Sequence, residues 1–140
     1  MSKQQGCENA PLLDAILVIN PRDFTERRQS IERQLQPLGL PYEFIHTFDA
    51  GDLNAATQSR YFGQALLSSG QQSCALKHFQ ALRLIVERNW RRALVLEDDA
   101  FLVPQFLQGL QQAFDESACL DSPRVLFIGS GGNQYTPRRL

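Results

Sequence analysis

Four short stretches of the chain are almost continuously apolar, which is the pattern of strands buried in a parallel sheet. They cover residues 14–20, 42–47, 93–97 and 124–129. Pro21 ends the first stretch, because proline cannot donate to a central ladder. The second stretch is shorter and mixes polar residues with apolar ones, so it is predicted to lie nearer an edge of the sheet. The third is predicted to be the central strand, buried on both faces.

The segments between these stretches have helical periodicity. Thr25 is the predicted N-cap of a helix that runs to about Gln36, and Pro37 and Gly39 close it. Residues 53–70 carry scattered apolar residues among polar ones. The sequence does not decide between a helix and a substrate-facing loop for residues 53–70.

The clearest amphipathic helix is predicted over residues 71–90. Its apolar face follows steps of three or four residues: Leu76, Phe79, Leu82, Val86 and Trp90. Another helix is predicted to start at Pro104, a favoured first helical residue, and to end near Ser117. Strands that alternate with helices predict an α/β fold with a mostly parallel sheet and helices on both faces.

Bulk composition excludes several classes of protein. The chain has 140 residues, 43% of them hydrophobic, so one globular domain is expected over residues 14–140, behind a polar leader at residues 1–13. A net charge of −1 gives no reason to expect a nucleic-acid partner. Three cysteines fit a reducing compartment, and no apolar run has membrane-spanning length, so a cytoplasmic protein is expected.

Three carboxylates, Glu97, Asp98 and Asp99, follow the third strand directly. Like charges this close are unfavourable unless a cation or several donors lie among them. Ligands also bind at the carboxyl ends of strands in open α/β sheets. One interpretation is a site for Mg²⁺ or Mn²⁺ with a substrate phosphate. The other is a solvated acidic turn that caps the next helix, and these residues alone favour neither.

Other polar candidates have weaker patterns. The run from Gly129 to Gly132 follows a strand but matches no phosphate-loop pattern, so a flexible turn is expected. His46 is interpreted as a packed strand residue. Cys74 and His78 are four residues apart on one predicted helix and can meet on one face. A metal pair would need further ligands that the sequence does not indicate, so a structural role is favoured.

Four short blocks together carry a family resemblance. They are Ile-Asn at 19–20 with Glu-Arg-Arg at 26–28, Leu-Gly-Leu-Pro-Tyr-Glu-Phe at 38–44, Cys-Ala-Leu-Lys-His at 74–78, and Leu-Val-Leu-Glu-Asp-Asp at 94–99. In this order and spacing, over about residues 14–129, they resemble glycosyltransferase family 25. That family includes lipooligosaccharide and collagen galactosyltransferases.

The resemblance implies a Rossmann-like domain of the GT-A type that binds a nucleotide sugar. It implies that Asp99 is the direct ligand of Mn²⁺ or Mg²⁺, with Glu97 and Asp98 nearer the nucleoside. The remaining implied nucleotide-sugar-binding residues are Asn20, Arg27 and Arg28. The acceptor-binding residues and the catalytic base are expected beyond the fourth strand, so no catalytic residue is assigned and the domain is expected to be incomplete.

The chain departs from the family pattern at several positions. The family usually has leucine after Ile-Asn, where this chain has Pro21. The family block Glu-x-Gly-Cys-x-Leu-Ser-His has Gln71, Ser73 and Lys77 in place of its glutamate, glycine and serine.

The acidic stretch also resembles the opening of a response-regulator receiver domain. A receiver needs a later lysine, and none follows Asp99.

The leading hypothesis is a glycosyltransferase of lipopolysaccharide (LPS) biosynthesis. It would transfer a hexose such as galactose from a UDP-sugar to a lipooligosaccharide or other glycan acceptor. Its expected location is the cytoplasm, including peripheral association with the inner face of the membrane. The alternative is a non-catalytic remnant of such a domain that binds a nucleotide or a partner.

Overall fold

The computed structural model describes residues 11–129, which form two compact units, one ending at Leu102 and one beginning at Val103. The elements of the first unit are β1 (Ala15–Ile19), α1 (Thr25–Leu35), β2 (Tyr42–Ile45), α2 (Ala55–Phe62), α3 (Ser69–Glu87) and β3 (Ala93–Glu97). Short 3₁₀ helices cover Gln36–Leu38 and Ala50–Asp52. The second unit contains α4 (Phe106–Glu116). The predicted α/β, Rossmann-like fold is confirmed.

The described sheet is parallel throughout, with strand order β2-β1-β3. All five residues of β1 are buried, as suits a strand with neighbours on both sides. The edge position of β2 is confirmed. The central position predicted for residues 93–97 is wrong: β1 takes it, and β3 lies at the other edge of the described sheet. Leu94 is the one buried residue of β3. The apolar run of β3 therefore indicated a strand but did not determine the position of that strand in the sheet.

The strand predicted at residues 124–129 is also wrong, since no strand forms there. Val125, Phe127 and Ile128 are exposed, and Phe127 keeps 95% of its accessible surface. An apolar run becomes a strand when a sheet edge pairs with it and a second layer covers it. Neither condition is visible in the sequence. Most of the predicted glycine turn, from residue 130 onward, and most of the predicted leader, residues 1–10, lie outside the described residues.

Helix α3 packs against all three strands and supplies part of the core. Its Ala81 joins Leu17, Ile19 and Ile45 in one buried cluster. The predicted apolar face of this helix is only partly right: Leu76 is buried, whereas Phe79, Leu82 and Val86 are exposed. The buried stripe instead follows Gln72, Ser73, Leu76, Lys77 and Ala81.

Helix ends differ from the predictions by one to three residues, the largest difference being the end of α3 at Glu87. Thr25 is the first residue of α1, and Phe24 occupies the N-cap position without a side-chain hydrogen bond. The ambiguous segment forms α2, whose N-cap Asn54 accepts a hydrogen bond from the backbone N–H of Thr57. Helix α4 begins at Phe106, two residues after Pro104. Cap preferences place such boundaries only to within a few residues.

Candidate functional site

The candidate site lies where β1 and β3 end side by side. Ile19 and Glu97, the last residues of the two strands, are partners in the parallel register. The backbone N–H of Asp98 donates to the Ile19 carbonyl at 3.1 Å, so the pairing continues into the acidic stretch. The chain leaves β1 toward β2 on one side and returns to β3 on the other. This is a topological switch point, the place where open α/β sheets bind ligands.

Asp98 is a buried carboxylate with two hydrogen-bond donors. Its side chain is 6% exposed, and Oδ2 accepts from Nδ2 of the fully buried Asn20 at 2.7 Å. Its Oδ1 accepts from Nη1 of Arg27 at 3.3 Å. The same Asn20 amide also donates to the Phe24 carbonyl at 3.3 Å. Burying a charge is tolerated when it is hydrogen-bonded and paired in this way.

Arg27 joins Asp98 to its neighbour Asp99. Its Nη1 lies 3.4 Å from Asp99 Oδ2, and its guanidinium is 5.2 Å from the centre of the Phe24 ring. Asp99 is 60% exposed, so it faces solvent beside a half-exposed cation. Four of the predicted residues, Asn20, Arg27, Asp98 and Asp99, are therefore brought together.

Two further predicted residues do not join this group. Arg28 follows on α1, and the contact that the structure shows is its backbone N–H to the Phe24 carbonyl, 3.0 Å away. Glu97 turns toward α3, where its Oε1 lies 3.2 Å from His78 Nε2 and 3.9 Å from Cys74 Sγ. Burial raises the pKa of the Cys74 thiol, and the Glu97 charge raises it further. The sequence placed Cys74 and His78 on the same face of one helix, but only the packing of α3 against β3 adds Glu97.

A second polar cluster was not indicated by the sequence. Lys77 is 1% exposed, and its Nζ donates to Asp49 Oδ1 at 2.6 Å and to the Thr47 carbonyl at 2.8 Å. Arg22 Nε donates to the other Asp49 oxygen at 2.7 Å and also pairs with Asp52. Burial alone would raise the pKa of Asp49, but hydrogen bonds from Lys77 and Arg22 outweigh it and hold that pKa below its usual range. This cluster fastens the loop after β2 to α3.

The helix-capping interpretation of the acidic stretch is wrong. Helix α4 begins at Phe106, and its N-cap position is Gln105, six residues beyond Asp99. The backbone N–H of Ala100 instead donates to the Glu97 carbonyl, which closes a turn.

The chemistry that the sequence predicts for Asp99, a hard divalent cation, depends on free carboxylate oxygens. Oxygen ligands are the ones that Mg²⁺ and Mn²⁺ prefer, and Mg²⁺ usually takes one or two carboxylates together with phosphate oxygens. Asp99 is 60% exposed and its Oδ2 accepts from Arg27, whereas Asp98 is 6% exposed and both of its oxygens accept hydrogen bonds. Of the two aspartates, Asp99 is thus the one whose carboxylate is open to solvent.

The sequence profile of glycosyltransferase family 25, described as an LPS biosynthesis protein family, matches residues 13–133. The chain belongs to glycosyltransferase family 25. A family 25 member of Drosophila pseudoobscura pseudoobscura is 25% identical over 129 residues, 84% of this chain and 20% of the relative. Procollagen galactosyltransferase 2 of Mus musculus is 24% identical over 129 residues, 83% of this chain and 20% of the relative. The family 25 resemblance is thus confirmed.

This family 25 chain spans about a fifth of the length of each of these two relatives. The aligned part contains the switch point and the acidic stretch, since the profile runs from residue 13 to residue 133. Among the described helices, none is both long enough and apolar enough to cross a membrane.

Proposed function

We propose that this chain forms the nucleotide-sugar-binding part of a glycosyltransferase. The transferred group is a hexose such as galactose, the donor is a UDP-sugar, and the acceptor is a lipooligosaccharide or other LPS-type glycan. One observation carries the proposal: Asp98 and Asp99 lie with Asn20 and Arg27 at the switch point of a parallel sheet. The LPS description of the family and the galactosyltransferase name of a relative support the choice of sugar and acceptor.

Each residue of the cluster has a proposed role. Asp99 would hold Mn²⁺ or Mg²⁺, which supplies positive charge against the diphosphate as the leaving group departs. Arg27 is half-exposed, and its planar guanidinium suits bidentate binding of phosphate oxygens. Asn20 fixes the orientation of Asp98 through their 2.7 Å hydrogen bond. Arg28 is proposed to add a second positive charge for the diphosphate.

Glu97 and Asp98 are proposed to lie nearer the nucleoside. Glu97 is half-exposed and can accept hydrogen bonds from hydroxyl groups of a ribose. Asp98 is nearly buried, so its contribution would be to shape the floor of this region. The base that deprotonates the acceptor hydroxyl is not assigned to any of these residues. A cytoplasmic location, with peripheral association at the inner face of the membrane, remains part of the proposal.

Isothermal titration calorimetry with UDP tests this function directly. UDP is expected to bind with Mn²⁺ present and to bind far more weakly after the ion is chelated with EDTA. The matched ligand control is uridine, which lacks the diphosphate and should gain nothing from Mn²⁺. Equal binding of UDP and uridine, or no binding of either, would contradict the proposal.

A second candidate function is a non-catalytic nucleotide-binding or partner-binding remnant. Two contacts favour it. Gln71 accepts from the Ser68 backbone N–H and closes a capping box, and Lys77 is buried against Asp49. The family pattern has glutamate and serine at these two positions. Incubation of UDP-galactose with Mn²⁺ and an acceptor glycan separates the two candidates, since UDP binding without release of UDP from the sugar supports the remnant.

A further inference from the structure

Three different metal-ligating side chains converge beside the acidic stretch. Cys74 and His78 lie one turn apart on α3, and Glu97 is the last residue of β3. Their ligand atoms, one from each side chain, all lie within 4.8 Å of one another. Glu97 Oε1 is the shared neighbour, 3.9 Å from Cys74 Sγ and 3.2 Å from His78 Nε2.

These separations are close to those of ligands around a tetrahedral zinc ion. With Zn–S of about 2.3 Å and Zn–N or Zn–O of about 2.0–2.2 Å, tetrahedral angles place neighbouring ligand atoms roughly 3.4–3.6 Å apart. The observed S···O and N···O distances of 3.9 and 3.2 Å lie on either side of that range. Adjustments of a few tenths of an ångström would bring these two pairs to it, and the third pair, Cys74 Sγ and the His78 ring nitrogen, lies within 4.8 Å.

We propose that Cys74, His78 and Glu97 bind one Zn²⁺ ion, with water in the fourth position. The set combines thiolate, imidazole and carboxylate, which zinc accepts together. Mn²⁺ prefers oxygen ligands and binds such mixed sites more weakly than Co²⁺ or Zn²⁺. Binding converts the Cys74 thiol to a thiolate, and the thiol proton passes to solvent.

The position of the three side chains suits an exchangeable ion. Cys74 is partly buried, and His78 and Glu97 are half-exposed, so an ion can enter from solvent. The backbone that carries them is fixed, because α3 packs on the sheet and β3 pairs with β1. The site does not include Asp99, whose side chain lies against Arg27. The proposal therefore does not depend on the function proposed above, and Glu97 is the residue that the two share.

Cobalt substitution gives a test that identifies the ligands. Co²⁺ added to the full chain should produce a thiolate-to-cobalt charge-transfer band and the visible bands of four-coordinate cobalt, saturating at one ion per chain. An equal concentration of Zn²⁺ should abolish these bands, whereas the same concentration of Mn²⁺ should leave them. Failure of the bands to form would overturn the proposal, as would their displacement by Mn²⁺.

The three cysteines of the chain supply a matched control. The variant with Cys7→Ser and Cys119→Ser keeps Cys74 and should retain the charge-transfer band, whereas Cys74→Ser should lose it. His78→Ala should weaken Zn²⁺ binding by more than about 100-fold, since loss of an outer-shell partner alone costs about 10–100-fold. Circular dichroism checks that each variant is folded. A band that persists in Cys74→Ser, or unchanged Zn²⁺ affinity in folded His78→Ala, would overturn the assignment.

Discussion

At the residue scale, the decisive contrast is between the two aspartates that follow Glu97. Asp98 is nearly buried and both of its oxygens accept hydrogen bonds, whereas Asp99 is 60% exposed. These neighbours in sequence thus face different environments within the turn that the Ala100 N–H closes onto the Glu97 carbonyl. This contrast is the reason that Asp99, and not Asp98, is proposed to contact the ion.

The substitution Asp99→Asn tests the proposed ligand role. We expect it to abolish the stabilisation of the protein by Mn²⁺ plus UDP, because a neutral amide is a poor ligand for a hard cation. Without ligands, the melting temperature should be unchanged or slightly higher, since one of three crowded negative charges is gone. Thermal denaturation with and without Mn²⁺ and UDP measures both effects.

The control for this prediction is Glu116→Gln, which neutralises an exposed carboxylate at the end of α4. It should retain the full stabilisation by Mn²⁺ plus UDP. If Asp99→Asn also retains it, Asp99 is not the metal ligand.

At the element scale, α3 shows why a regular apolar pattern can indicate the wrong face. Phe79, Leu82 and Val86 outline a helical stripe, but the helix turns Lys77 and Ala81 toward the sheet. A buried lysine is unfavourable until Asp49, from the loop after β2, supplies its counter-charge. That partner is 28 residues distant in sequence, so local periodicity carries no information about it.

Paired substitutions on neighbouring residues of α3 test this orientation. Ala81 is fully buried against the sheet, so Ala81→Leu should lower the free energy of unfolding by about 1–3 kcal/mol through overpacking. Leu82 is exposed, so Leu82→Ala should change it by no more than about 0.5 kcal/mol. Urea denaturation measures both values. The reverse order would mean that the apolar stripe is the packed face.

The ion pair between α3 and the loop after β2 also predicts a dependence on pH. The folded-state pKa of Asp49 is lowered, so its stabilising contribution is present above the unfolded pKa of about 3.9 and is lost as pH falls through the folded value. Asp49→Asn should therefore be less stable than the original protein at pH 7. The difference in the free energy of unfolding should shrink as pH falls below about 4.

Urea denaturation at pH 7, 5, 4 and 3 measures this dependence. Asp115→Asn, at an exposed position of α4, is the matched control. Its free energy of unfolding should differ from that of the original protein by the same small amount at every pH. A constant difference between Asp49→Asn and the original protein would show that Asp49 does not stabilise the fold through its charge.

At the scale of the whole molecule, the α/β class, three parallel strands and the acidic stretch at a strand end were predictable from sequence. Apolar runs and turn residues are local signals, and parallel strands place their carboxyl ends at the same side of a sheet. The position of β3 in the sheet and the exposure of Phe127 depend on which strand edges pair with another strand. The grouping of Cys74, His78 and Glu97 depends on how a helix crosses a strand. These features arise from long-range packing, which a local pattern does not encode.

The buried position of Lys77 has a consequence for the chemistry of the intact protein. The chain has two lysines, Lys3 and Lys77, and the ammonium of Lys77 donates to two carbonyls and a carboxylate while 1% exposed. An amine-reactive acylating reagent should therefore modify Lys77 only in molecules whose α3 has separated from the sheet. Peptide mass spectrometry at increasing urea concentrations would measure the acylated fraction of Lys77. That fraction follows the proportion of molecules in which the core is open.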